Sequence, residues 1–217
     1  MSKEKKLISK RPIYRFIKRV FDIFSSLGMI MLLSLPLLII AIIVKTGSKG
    51  PILFKDKRVG KNGKEIYVLK FRSMYIDAES RIDSYLTPEQ KEIWIKERKL
   101  DNDPRITKIG RFLRKTSLDE LPQLFNILGG SMSVVGPRPI VKSELDENYT
   151  KEQQELLLSV RPGLVSNWGV SGRNQLEYID GKRQESELIY FEKMGLFYDL
   201  KLIFKAVFVV LSRKGAK

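Results

Sequence analysis

The chain has 217 residues, contains neither cysteine nor histidine, and carries a formal charge of +15. Disulfides, thiolate nucleophiles, Cys/His zinc sites, histidine-ligated haem and imidazole acid–base catalysis are therefore excluded. What remains is chemistry by carboxylates, basic side chains, hydroxyls, backbone groups or a hard cation, with an anionic partner: lipid headgroups, phosphorylated substrates or nucleic acid.

Residues 1–22 read as a basic lead-in. Within it, Ile13, Phe16, Ile17, Val20 and Phe21 fall at helical spacing with Arg15, Lys18 and Arg19 largely opposite, the pattern of a helix lying at a membrane interface. Residues 23–44, IFSSLGMIMLLSLPLLIIAIIV, then run without a charge. A straight helix of that length reaches about 33 Å, the thickness of a bilayer core. Both flanks are basic, with eight Lys/Arg against two acids in residues 1–22 and nine against two in residues 45–72. A single span would put one of them on the side that lysine and arginine avoid. Pro36 breaks or kinks a helix, and Ser34 can satisfy a carbonyl that the break frees. A re-entrant helix broken at Ser34–Pro36 keeps both flanks in the cytoplasm, and an ordinary kinked span competes with it. A cleaved signal peptide fits poorly, because the run is long and no small-x-small site follows.

Residues 45–217 read as a water-soluble domain. Two short strands are expected at 51–59 and 65–71, joined by turn chemistry in Gly60-Lys61-Asn62-Gly63. Residues 75–98 look helical and charged, with a new start at Thr87-Pro88. A basic helix over 106–115 has Ile106, Ile109 and Leu113 on one side, and a short helix from Ser117 to Leu128 stops at Gly129-Gly130. The segments 133–139 and 161–174 read as Pro/Gly-rich loops around a polar helix at 142–159. The final helical region, 185–212, ends in an apolar stretch too short to span, which either packs in the core or presses on the membrane surface.

The densest chemistry lies in RKTSLDELPQLFN, residues 114–126. Asp119 and Glu120 are adjacent, so on a helix they point about 100° apart and cannot act as a side-by-side acid pair. Two separate jobs suit them: one carboxylate facing a reacting phosphorus, the other a metal. The competing reading is a capping box, Ser117 with Glu120, in a first turn where acids belong. Arg111, Arg114 and Lys115 just upstream would keep Asp119 ionised and attract phosphates, or else form a solvated or lipid-facing surface. Lys70 and Arg72 close a predicted strand and could reach phosphate; alternation puts them on the same side. Asp77 could supply a further cation contact. Arg138, between prolines, and Arg161, in a second Arg-Pro-Gly loop, could clamp phosphate, and Arg173 in Ser171-Gly-Arg-Asn174 could meet sugar or nucleotide.

Six features occur in order: the basic amphipathic start, the apolar run with Ser34-Leu-Pro36, Lys70-Phe-Arg-Ser-Met74, Thr116-Ser-Leu-Asp-Glu-Leu-Pro-Gln-Leu124, Val135-Gly-Pro-Arg-Pro139 and Arg161-Pro-Gly-Leu164. Their combination resembles the bacterial sugar transferases, the monotopic polyprenyl-phosphate phosphoglycosyl transferases, over about residues 12–212. The resemblance implies an α/β, mainly helical monotopic membrane protein with a re-entrant helix, a small β-hairpin or sheet and interfacial amphipathic helices. It implies transfer of a sugar 1-phosphate from a UDP-sugar to undecaprenyl phosphate, releasing UMP, at the cytoplasmic face of the bacterial inner membrane. Asp119 would be the nucleophile, and Glu120 would assist through Mg²⁺. Asp77 is a further expected metal contact, and the resemblance strengthens Arg138 as a phosphate or uridine ligand. The chain would be the minimal catalytic form, initiating surface glycan synthesis, contacting anionic lipids, delivering product to downstream glycosyltransferases and compatible with a homo-oligomer. The alternative class is a non-catalytic membrane-surface scaffold recognising anionic lipid. Nucleic-acid binding is not expected, since no stacking or recognition-helix pattern supports it. Sugar identity is not encoded in any readable pattern.

Overall fold

A computed structural model describes residues 11–97, 100, 102–171 and 181–212. Its first two helices are α1, Pro12–Leu32, and α2, Ser34–Gly47. They meet at Leu33 with a 66° bend. Leu33 donates its N–H to Met29 O and closes α1, so Ser34 opens α2 and Pro36 falls in its first turn, where no intrahelical N–H is required. Among the described residues no single helix is long and apolar enough to cross a membrane; the bent pair taken together has the length and composition of a broken span or a re-entrant loop. The bend lies where a re-entrant helix was expected.

Strands β1, Leu53–Val59, and β2, Glu65–Phe71, pair with each other. The turn between them is a single 3₁₀ turn, Lys61–Gly63, with Asn62 and Gly63 at φ of 60° and 74°. Asn and Gly are the residues that accept this left-handed conformation. Short helices α3, Ile82–Tyr85, and α4, Pro88–Glu97, follow. Next come α5, Lys108–Thr116, a 3₁₀ turn Leu118–Glu120, α6, Gln123–Gly129, and strand β3, Ser133–Val135. The expected helix from Ser117 to Leu128 is thus divided, with Pro122 immediately ahead of α6. The polar segment 142–159 is likewise two helices, α7, Lys142–Asn148, and α8, Lys151–Leu157, the second opened by a Thr150–Gln153 capping box. Strand β4, Gly163–Val165, α9, Asn167–Ser171, α10, Lys182–Lys193, and α11, Leu196–Ser212, complete the order.

The segments 133–139 and 161–174 are not simply loops. Each contributes a strand, and β3 pairs with β4 in parallel, Ser133 opposite Gly163 and Val135 opposite Val165. Gly136 N donates to Val165 O at 3.0 Å and Gly163 N to Pro137 O at 2.8 Å. A Cβ on either glycine would overlap the other's backbone, so the two Pro/Gly-rich motifs interlock through missing side chains.

The chain forms two compact units. One is drawn from Met1–Leu33, Lys55–Leu69 and Gln123–Gly215. Its main core gathers Val135, Leu145, Tyr190, Phe191 and Leu202 around Tyr14, and a second cluster joins Val68, Leu124, Ile127 and Met132 to Ile30 and Leu33. On α1, Ile13, Phe16 and Phe24 are 75%, 71% and 71% exposed. On α11, Leu202 is buried in the core while Phe197 and Phe204 lie 91% and 74% exposed. One face of the final helix thus packs in the core, and the other is exposed and apolar. Continuous apolar stripes of this kind mark helices that lie on a membrane. The other unit is drawn from Ser34–Phe54 and Lys70–Pro122, and its core is Ile40, Val44, Phe71 and Leu113.

Candidate active site

In this second unit the chain leaves β2 through Arg72-Ser73-Met74 and meets the start of α5. Thr107 N donates to Ser73 O at 3.0 Å, and Met74 bridges Ile106. Thr107 caps the helix, its hydroxyl accepting from Gly110 N at 2.9 Å. A side chain on Gly110 would collide with the Ser73 carbonyl, so glycine here is what lets α5 lie against that backbone. One turn further on, Arg114 Nε donates to Ser73 Oγ at 2.8 Å.

Three charged groups surround that arginine. Partial desolvation lowers the Arg114 pKa, while the Asp119 and Asp103 carboxylates oppose the shift and Arg105 adds to it. The side chain as a whole is exposed, and an arginine so placed stays charged. Asp103 accepts from Arg105 at N, Nε and Nη2, at 2.9, 2.9 and 2.7 Å. Burial pushes the Asp103 carboxyl up, but the hydrogen bonds and charge of Arg105, with Arg114 behind, hold it below the ordinary value.

α5 ends at Ser117, which adopts φ 56°, ψ 17°. Its side chain makes no capping hydrogen bond, so the capping-box alternative does not hold. Instead Glu120 N donates to Ser117 O at 3.3 Å, closing the 3₁₀ turn that carries both acids. With about three residues per turn, neighbouring side chains diverge by about 120°, so Asp119 and Glu120 face different ways. Both are half-buried. Leu118 and Leu121, flanking the acids, pack against the cluster formed by Ile40 and Val44 of α2 with Phe71 and Leu113. The carboxylate turn is thereby tied into the core that the apolar helix shares.

Other expected residues are placed as follows. Ser34 and Pro36 are exposed in the first turn of α2, Lys70 is half-buried on β2, and Arg111 is exposed on α5. Asp77 Oδ1 accepts from Tyr85 Oη at 2.9 Å and Oδ2 from Arg81 at 3.0 Å. Arg72 is not beside Lys70 on the strand: it lies one residue past β2, buried, and donates to the carbonyls of Val44 (3.0 Å), Ser48 (2.8 Å) and Lys49 at the end of α2. Arg138 and Arg161 belong to the first unit. Arg138 lies 4.9 Å above the Trp168 ring and its N–H donates to Glu187 at 3.2 Å. Arg161 Nε donates to Gly130 O at 2.6 Å. Arg173 lies outside the described residues. Sequence reasoning missed Ser73, Asp103 and Arg105. Ser73 sits inside a motif already singled out, and Asp103-Pro-Arg105 has no local signal beyond an acid and a base two residues apart.

A bent apolar helix pair whose second arm shares a core with a carboxylate turn points to a membrane-associated class of protein. The sequence profile of the bacterial sugar transferases matches residues 13–213, and the chain belongs to that family. It is 45% identical over 204 residues to the undecaprenyl-phosphate galactose phosphotransferase of Salmonella typhimurium, covering 93% of this chain and 42% of the relative. It is 42% identical over 204 residues to the UDP-glucose:undecaprenyl-phosphate glucose-1-phosphate transferase of Klebsiella pneumoniae, covering 92% and 41%. It is 40% identical over 208 residues to the exopolysaccharide production protein ExoY of Rhizobium meliloti, covering 95% and 90%. The chain thus spans about two fifths of the first two relatives, at 42% and 41%, and nearly all of the third, at 90%.

Proposed function

We propose that this chain transfers a sugar 1-phosphate from a UDP-sugar to undecaprenyl phosphate at the cytoplasmic membrane face, beginning assembly of a surface glycan. The observation that carries the reading is the core that Leu118 and Leu121 share with Ile40 and Val44 of α2, which keeps Asp119 and Glu120 close to the apolar helix. A soluble nucleotide sugar and a lipid phosphate must meet at such a boundary.

Asp119 attacks the phosphorus bearing the sugar; the new Oδ–P bond forms as the bond to the uridylate oxygen breaks, and UMP leaves with the electron pair. An oxygen of undecaprenyl phosphate then attacks the same phosphorus, and the aspartyl–phosphorus bond breaks to restore the carboxylate. Neither step needs a proton, because both nucleophiles are anions, which suits a chain without histidine. Arg114, braced by Ser73, meets the phosphate charge that gathers beside Asp119. Among the described residues no cluster of three or more acids forms a metal cage. Mg²⁺ is ordinarily held by one or two carboxylates together with substrate phosphates, so the donor set fits, with Glu120 holding the ion. Once bound it would offset charge on the departing UMP.

Asp119→Asn should reduce UMP release by about 10³-fold or more while folding and membrane attachment persist. Turnover retained in that variant would remove Asp119 from the nucleophile's role. A panel of UDP-sugars, read by UMP release with undecaprenyl phosphate, identifies the donor; silence with every donor would count against the reaction itself.

A further inference from the structure

Much of the polar face of α1 is turned inward, with Lys18 and Arg19 half-buried and Asp22 buried. Ile13, Phe16, Ile17, Val20 and Phe24 are exposed, while Lys18 pairs with Asp199 at 2.7 Å and Arg19 donates to the carbonyls of Ile127 (2.7 Å) and Leu128 (2.9 Å). Within the same unit, Arg15, Lys18, Arg19 and Asp22 of α1, Lys61 of the hairpin turn and Arg161 ahead of β4 line a cavity of about 50 Å³. The hairpin tip is fixed there by Asn62 N donating to Leu158 O at 2.7 Å.

The cavity has more donors than acceptors. Asp22 Oδ1 already accepts from Ser133 Oγ at 3.0 Å and Val134 N at 2.9 Å. Arg161 uses Nε on Gly130 O, leaving its two terminal nitrogens without a described partner. Arg15 and Lys61 have no ion-pair partner among the described residues. Burial lowers the Lys61 pKa and the charges of Arg15 and Arg161 lower it further; burial, then Arg19, does the same to Arg161, with Asp22 partly opposing. Cations gathered in this way destabilise one another until an anion enters.

Size and charge select the anion. Nucleotide-sized ligands occupy a few hundred Å³, so about 50 Å³ admits one small tetrahedral group. Guanidinium forks and an ammonium converging from three chain segments suit phosphate oxygens. The excess positive charge favours a doubly charged phosphate monoester over a singly charged diester.

We propose that this cavity is an anion site, distinct in its residues from the carboxylate turn, that takes the phosphate monoester group of a ligand. The group arrives on a lipid or as free phosphate, and two measurements on the full chain separate these sources. In the first, flotation compares phosphatidylcholine vesicles carrying phosphatidic acid, a monoester, with vesicles carrying phosphatidylglycerol, a diester. In the second, thermal unfolding in detergent compares inorganic phosphate with chloride at equal ionic strength. Lys61→Ala and, independently, the exposed Arg15→Ala probe the cavity, and Lys61→Arg should restore what Lys61→Ala removes. A preference for phosphatidic acid of about tenfold that collapses in both alanine variants assigns a lipid ligand. A phosphate-specific stabilisation that collapses in them, without a lipid preference, assigns free phosphate. If the wild type shows neither effect, or both alanine variants keep whichever it shows, the proposal is overturned. Both readouts are binding, so their failure is separate from any failure of the Asp119 assignment.

Discussion

Arg114 hydrogen-bonds the hydroxyl of Ser73 at 2.8 Å, one turn beyond the glycine that lets its helix touch the Ser73 backbone. The arginine beside Asp119 is thus set by a backbone approach four residues away. In Gly110→Ala the new methyl must displace α5 from the Ser73 carbonyl. Overpacking of this kind costs about 1–3 kcal/mol, so the variant should melt at lower temperature and turn over donor more slowly. An unchanged melting temperature would show that α5 tolerates the displacement.

Arg72 gathers three carbonyls at the end of α2, a task for which its planar fork is suited and lysine is not. Arg72→Gln should leave buried acceptors unmet, costing about 1–3 kcal/mol for each acceptor left without a donor. Limited proteolysis over residues 45–50 should speed up in the variant. Equal cleavage rates would mean that these carbonyls find other donors.

Glu187 is buried, accepts from Arg138 N, and is pushed up to about 7 chiefly by burial, with Ser166, Arg138 and Arg183 working against the shift. The folded carboxyl holds its proton more tightly than the unfolded one. Its stability contribution is therefore full below the unfolded value of about 4.3 and is lost as pH rises through the folded value of about 7. Glu187→Gln should gain on the wild type across that interval, by an amount on the order of 3 kcal/mol at the alkaline end. Denaturation midpoints of both proteins at pH 5 and pH 8 test the sign, and a gap that narrows with rising pH would contradict it.

Asp103 and Arg105 form an ion pair with side chains only 5% and 4% exposed. Asp103→Asn removes the charge and leaves a buried guanidinium, at a cost of about 3–5 kcal/mol. Because the Asp103 carboxyl is held below its ordinary value, the wild type's advantage is present above the unfolded pKa of about 3.9 and fades on further acidification. Chemical denaturation at neutral and acid pH reads both effects.

The bend was legible in the sequence because two signals agreed: basic flanks on both sides of residues 23–44 and a proline between them. The acid pair was legible as a place, though its local shape was not. Ser117 has the sequence of an N-cap but takes a left-handed conformation with no capping bond, because it ends the preceding helix as its C-cap, its N–H on the carbonyls of Arg114 and Leu113. Pairing of β3 with β4 was hidden because three-residue strands carry no alternation, and the Gly136–Gly163 contact exists only once both motifs are brought together. Arg72 and Arg161 illustrate one limit. Both look like phosphate ligands in sequence, and both donate to backbone carbonyls in the fold. Which acceptor a guanidinium meets is a tertiary fact.

Asp22 sits at the last position before the apolar run, yet is 2% exposed and held by Ser133 and Val134. Sliding α1 by one residue would move it about 1.5 Å and rotate it about 100°, tearing that carboxylate from Ser133 and Val134. The register of α1 against β3 is therefore pinned by a single hydrogen-bonded acid. A helix pinned in this way cannot slide to match an apolar layer of another thickness, so any mismatch would fall on the lipid.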